Sequence, residues 1–224
     1  MTGRTTLSVI VGVAAAIAAT LASTAFSGES PLRISTILGQ AEIRRAGAAW
    51  TPAPLRADLG PGDDARTLHG RLTLRSASGQ EVRLAAASHV TLLEASAGDE
   101  PTRARLLGGA AWIAVLPATP PSEHIELQVG PAACTVKTGG VGLLLERDGS
   151  TLVRVYHGAA ECVGSPSAGR WTRMLGDARE MRVANTGAPG EVRTLVREKI
   201  EADWLKWNEG QDAAGGYGGK PAAR

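Results

Sequence analysis

Residues 71–84 read Arg-Leu-Thr-Leu-Arg-Ser-Ala-Ser-Gly-Gln-Glu-Val-Arg-Leu. Apolar and polar side chains alternate over 71–75 and again over 81–84, and Ser78-Gly79 supplies a turn between the two runs. Successive strand residues point to opposite faces, so this stretch predicts a hairpin with Leu72, Leu74, Val82 and Leu84 on one buried face. A second hairpin is signalled by Asp148-Gly149, set between the apolar runs 141–145 and 152–156. An Asp-Gly pair suits a type I′ turn, which needs positive φ at both central positions.

The same alternation marks candidate strands at 41–45, 89–94, 103–107, 110–116, 125–129, 134–137, 159–163, 170–175 and 180–183. Many short strands with no helical pattern between them exclude βαβ units. They predict an all-β domain over 33–185, built as a β-sandwich or jelly-roll or as a short β-solenoid. Pro117, Pro120 and Pro121 interrupt the series in a loop. With 5 Trp, 2 Tyr and 1 Phe in the chain, the core must be mostly aliphatic, and Trp50, Trp112 and Trp171 are its expected large pieces. Past Gly190 the period changes. Val192, Leu195, Val196, Ile200, Trp204 and Trp207 trace one stripe of an amphipathic helix, expected over 191–209. Such a helix docks on its own domain or on a partner, with Trp204 and Trp207 as candidate docking residues. The Gly-rich tail 210–224 is expected to be disordered.

The N-terminus carries one cation, Arg4, and then an uncharged run over 7–22 that ends in Ser23-Thr24-Ala25. This is the pattern of a signal peptide over 1–25, cut after Ala25. The alternative is an uncleaved anchor, because 7–26 is about the length a bilayer needs. Only six residues precede the apolar run, so no cytoplasmic domain is expected ahead of it. The expected location is periplasmic or secreted, or anchored in the inner membrane facing the periplasm if the segment is retained. The net charge of +2, with basic residues scattered singly, gives no expectation of nucleic-acid binding. Contact with a membrane is expected only through an uncleaved N-terminal segment.

Gly62-Asp63-Asp64-Ala65-Arg66-Thr67, followed by the alternating strands and Gly turn of 71–84, resembles the repeating core of the FecR family. The runs 107–115 and 153–162 are similar to that family's later strand units, so the resemblance spans about residues 43–183. The ending Asp203-Trp204-Leu205-Lys206-Trp207-Asn208 is similar to the acidic-aromatic helix that closes exported members. Family regulators place a cytoplasmic helical domain before one membrane span. None is expected ahead of the apolar run here, so what the resemblance implies is a periplasmic or surface all-β module. Within the motif, Gly62, Asp63, Arg66 and Thr67 are read as structural, with Asp63 in a turn and Arg66 or Thr67 tying loop backbone together. The resemblance also places the strands bearing Cys134 and Cys162 side by side, which in an oxidising compartment implies a disulfide. The alternative is a pair of buried thiols.

Catalytic signatures are missing: there is no Gly-x-Ser-x-Gly, His-Glu-x-x-His, P-loop or dinucleotide fingerprint. His69, His89, His124 and His157 form no close ligand pair in sequence. Glu123 with His124, and His157 with Glu161, can be posed as acid/base pairs; the first fails because strand neighbours point to opposite faces, and the second passes only if the strand is not broken at Gly158. Asp58, Asp63 and Asp64 can be posed as a calcium site, but the liganding spacing is missing. No enzyme activity, cofactor or metal is expected. The leading expectation is a non-catalytic module of the cell envelope that contacts a protein or glycan, in signalling or envelope assembly. A membrane-tethered signal-transduction subunit is the alternative, and an envelope hydrolase is third.

Overall fold

The computed structural model describes residues 32–95, 101–117, 119–165, 169–197 and 202–218. The export segment expected over 1–25 lies outside them, as does the chain beyond 218. Thirteen strands follow one another: β1 Leu32–Arg44, β2 Thr51–Pro52, β3 Asp58–Leu59, β4 Asp64–Arg75, β5 Glu81–Leu84, β6 His89–Glu94, β7 Thr102–Val115, β8 Ile125–Val129, β9 Ala132–Leu145, β10 Thr151–Gly164, β11 Trp171–Leu175, β12 Arg179–Val183 and β13 Arg193–Thr194. A single α-helix, α1 Ala202–Gly215, closes the described chain. The described residues are all-β with one α-helix.

Five of these strands are longer than the short runs expected from sequence. The runs 103–107 and 110–116 are the two ends of β7, 134–137 and 141–145 those of β9, and 152–156 and 159–163 those of β10. Each continues through a glycine with positive φ, where the inward-facing set changes parity. On β4, Ala65 and Thr67 are buried before Gly70, and Leu72 and Leu74 after it. On β10, Val153 and Val155 are buried before Gly158, and Ala160 and Cys162 after it. The kinks come in register pairs, Gly39 opposite Gly70 and Gly139 opposite Gly158. A Cβ on Gly70 would lie 1.7 Å from the Leu38 carbonyl oxygen, and one on Gly158 2.0 Å from that of Thr138. No other residue fits, so a bulge of this kind bends the strand where a bulkier residue would end it.

Bending gives every long strand two sets of neighbours and builds a two-layer sandwich. One layer runs β3/β1–β4–β5–β7–β9–β10–β12–β13, using the last residues of β1's partner β4 and the first residues of β10. The other runs β2–β1–β4–β6–β7–β8–β9–β10–β11. All pairings are antiparallel except β7 with β8. Both halves of all five long strands feed one aliphatic core, from Leu32 and Ile34 to Met181 and Val183. Cys134 and Cys162 sit opposite each other on β9 and β10 and form a disulfide.

The hairpin over 71–84 forms with Leu72 opposite Leu84 and Leu74 opposite Val82. Its loop recurs at 146–150 and 184–188. In each, the first residue's N–H reaches the fifth residue's carbonyl, and the glycine at the fourth place has positive φ and donates back to the first. This is a type I turn closed by a glycine bulge. Asp148-Gly149 is therefore not a type I′ turn: of the two only Gly149 has positive φ, and the Asp148 carboxylate instead accepts from Ser150 N at 2.9 Å.

The helix expected over 191–209 is displaced. Arg193 and Thr194 pair with β12, and Leu195 N donates to the Ala178 carbonyl. Buried Glu180 accepts from both Arg154 Nε (3.1 Å) and Arg193 Nε (2.7 Å), which pins this edge strand. Ladder bonds and a buried carboxylate override the helical stripe, leaving Val192 and Val196 exposed. The tail is corrected as well: Gly210 to Gly215 is helical, and Tyr217 beyond it is 2% exposed.

Replacing Gly158 with Ala should cost well beyond the ~1–2 kcal/mol of a left-handed backbone, because the added methyl strikes a carbonyl. Gly47, with positive φ but nothing within 4 Å, should cost only that backbone term; urea unfolding compares the two. Reducing the Cys134–Cys162 bridge should lower stability by roughly 3–4 kcal/mol, read from the same titration with and without reductant.

Candidate functional site

On β5, Val82 and Leu84 face the core, so Glu81 and Arg83 face outward by strand alternation. Yet Arg83 has no exposed surface. Helix α1 and the turn after it cover this outer face, and the helix supplies the acceptors for Arg83 Nη1, while its Nη2 lies beside Glu81 without a hydrogen-bond partner among the described residues. Its Nε donates to Glu81 Oε2 at 2.7 Å, while Nη1 donates to Asp212 Oδ1 at 2.6 Å and to the Asn208 carbonyl at 3.2 Å. The other Asp212 oxygen accepts from His157 Nε2 at 2.9 Å. The imidazole lies at the β10 kink, one residue before Gly158. Space for the carboxylate comes from Gly140, whose Cβ would fall 2.5 Å from Asp212 Oδ2 and 2.6 Å from His157 Nε2.

Leu205, Asn208 and Asp212 are the buried positions of α1, at helical spacing. Asn208 Nδ2 donates to the Trp204 carbonyl. Leu205 packs with Trp112, Ala114 and Tyr217, and Trp112 stacks on Tyr156 at 4.6 Å. Trp112 Nε1 is buried with no hydrogen-bond partner among the described residues. Trp204 and Trp207 stack on each other at 5.4 Å, half-buried, beneath the Arg71 guanidinium, which lies 4.9 Å from the Trp207 ring. They flank the docking face, whose centre is polar. Gly216 (φ 79) reverses the chain, and Tyr217 N donates to the Asp212 carbonyl at 3.0 Å in a Schellman closure. The Tyr217 hydroxyl donates to the Gly79 carbonyl in the β4–β5 loop.

Magnitudes show what holds the helix. A fully buried Leu contributes ~1.5–3 kcal/mol, whereas removing one partner of a buried ion pair costs ~3–5 kcal/mol. The Arg83–Asp212 link is thus the contact between α1 and the sheet whose one-sided removal costs most.

Of the residues singled out in sequence, His157, Trp112, Trp204 and Trp207 lie at this site and the others lie elsewhere. Asp63 accepts from Gly60 N (2.9 Å) and Ala46 N (3.1 Å) and pairs with Arg45, closing a turn whose Gly62 has positive φ. Thr67 Oγ1 donates to the Ala85 carbonyl and accepts from Ser88 N. Arg66 pairs with Glu42 and stacks on Trp50 at 4.1 Å, so it ties side chains and not loop backbone. Trp50 is half-buried outside the main core, and Trp112 lies under α1; of the three expected core tryptophans only Trp171 joins that core. Asp58 and Asp64 pair with Arg33 and Arg44, and Glu161 with Lys137. His124 is buried and donates to the Thr119 carbonyl, and burial lowers its pKa. Sequence reasoning missed Arg83, Asn208, Asp212 and Tyr217. The available signal was an acid and a tyrosine inside an otherwise featureless Gly/Ala tail.

No protein-family model matches the chain, and the search of curated proteins finds no match. Among solved structures, the fold is similar to two crystal structures of a candidate anti-sigma factor from Parabacteroides distasonis. One has a TM-score of 0.51 at 19% identity, covering 63% of this chain and 63% of that one. The other has a TM-score of 0.51 at 18% identity, covering 63% and 64%. At this identity the likeness is one of fold, and it spans less than two thirds of either protein.

A free tyrosine ionises near pH 10.0, whereas burial, and next the Glu81 carboxylate, push Tyr217 up to about 12. Across that window the unfolded chain has released a proton that the folded chain retains, so stability must fall as pH rises through it. Thermal melts at stepped alkaline pH should show the fall, and Tyr217→Phe should remove the part linked to this residue.

Proposed function

We propose that the chain is a non-catalytic FecR-like module of the bacterial cell envelope that works in signalling by binding another protein or a glycan. The observation that carries this reading is the two-layer β fold shared with candidate anti-sigma factors, on which this chain mounts a helix held by a polar, charged face. Two further features support it. The Cys134–Cys162 disulfide suits an oxidising compartment of the kind the export segment addresses. The carboxylates and histidines best placed for chemistry are engaged with arginines or backbone: Asp212 with Arg83, His124 with the Thr119 carbonyl. Among the described residues no helix is long and apolar enough to cross a membrane, so a tether would reside in the N-terminal segment.

Affinity capture of the tagged protein from intact envelopes, with sequencing of its mature N-terminus, tests this. The expected result is a defined envelope protein or glycan recovered in stoichiometric amount, and no turnover of peptidoglycan or polysaccharide by the purified protein. Turnover without a partner would contradict the proposal. A start near Phe26 describes a diffusible module, and a start at Met1 a tethered one.

A further inference from the structure

Resting on the reading of the chain as a binding module, we infer that the outer face of β5, β7, β9 and β10 is a receptor site for an acidic helix of a partner protein, and that α1 occupies it in cis as a displaceable self-ligand. Three observations converge on this face.

The first is a carboxylate socket. Arg83, wholly buried, and His157 converge on one carboxylate from two different strands, with Gly140 keeping the space between them open. Such a socket is part of the sheet, while the carboxylate that fills it is supplied by the helix alone. Charge complementarity extends outward, since Arg71 lies over Trp204 and Trp207 and donates to the Asp203 carbonyl at 3.2 Å. The preferred ligand is therefore a helix with an aromatic residue, an amide one turn on and a carboxylate one turn beyond that, spaced as Trp204, Asn208 and Asp212 are.

The second is incomplete satisfaction. Trp112 Nε1 and Arg83 Nη2 are buried donors without an acceptor among the described residues, which is costly in a dry interface. A partner helix offering one more acceptor at either place would bind the face better than α1 does. The third is a shallow cleft beside Trp204, lined by Gly142, Leu144, Leu152, Arg154 and Tyr156, which a larger side chain could fill. The helix thus fits well enough to cover the face and poorly enough to be exchanged.

The test uses the full mature chain and a fluorescein-labelled peptide of residues 202–218, read by anisotropy. In the wild-type protein the site is closed by α1, so the peptide should bind weakly. Asp212→Asn in the protein, by loosening the cis helix, should raise peptide affinity by about tenfold or more, since apparent affinity scales with the open fraction. Adding Arg83→Met to that variant should abolish the gain. His157→Gln, at a partly exposed position, should reduce the gain and serves where Arg83→Met fails to fold. A peptide carrying Asp212→Asn should not bind any of them. Equal affinity in wild type and Asp212→Asn, or a gain indifferent to the changes at Arg83 and His157, would overturn the proposal. A concentration-dependent dimer that the peptide dissociates would assign the site to a second copy of the chain and overturn the partner assignment. These outcomes do not depend on envelope capture: peptide binding without a captured partner retains the site and sinks the envelope reading, and the converse does the opposite.

Discussion

A guanidinium removed entirely from water needs its charge answered within hydrogen-bonding distance, or the structure around it opens. In this protein Arg83 receives one answer from its own strand, through Glu81, and the other from residue 212, more than a hundred positions along the chain. That second bond determines much else. It sets where α1 lies, which side of the helix is buried, and why Gly140 must have no side chain. It also explains why a Gly/Ala-rich segment with little intrinsic tendency to order ends in a closed Schellman turn with Tyr217 driven into the sheet.

The socket exists because the strands bend. Paired positive-φ glycines at 39 and 70, and at 139 and 158, let long strands pass from one layer to the other without ending. His157 reaches Asp212 from the residue just before one such kink. The same bends close the aliphatic core between the layers, so the inner faces build the core and the outer face of one layer carries α1. Edges are managed separately: Arg193 and Glu180 hold the short β13 against β12, and the segment leading towards α1 is anchored there.

The all-β class was legible because alternation is a strong local signal, and the 71–84 hairpin pairs in the register that Leu72, Leu74, Val82 and Leu84 require. Strand lengths were not, since a glycine that bends a strand and a glycine that ends one look alike in sequence; Gly108-Gly109 and Gly158 read as breaks. The helix was misplaced for a related reason. Hydrophobic periodicity from Val192 to Trp207 finds a stripe, but the true docking face is Leu205, Asn208 and Asp212, two of them polar. Their partner, Arg83, reads in sequence as the solvent side of an alternating strand. Such a face becomes visible only when a distant strand and a distant helix are brought together.

A helix that packs in its own small cluster, outside the main core of the sandwich, has a consequence for dynamics: it should be able to leave without the sandwich unfolding. Native-state hydrogen exchange on the full chain measures this most directly. If α1 is a separable element locked by the Arg83–Asp212 bond, amides of 205–215 should lose protection in Asp212→Asn while those of β7, β9 and β10 keep theirs. Loss of protection in helix and strands together, or no loss in either, would contradict that account.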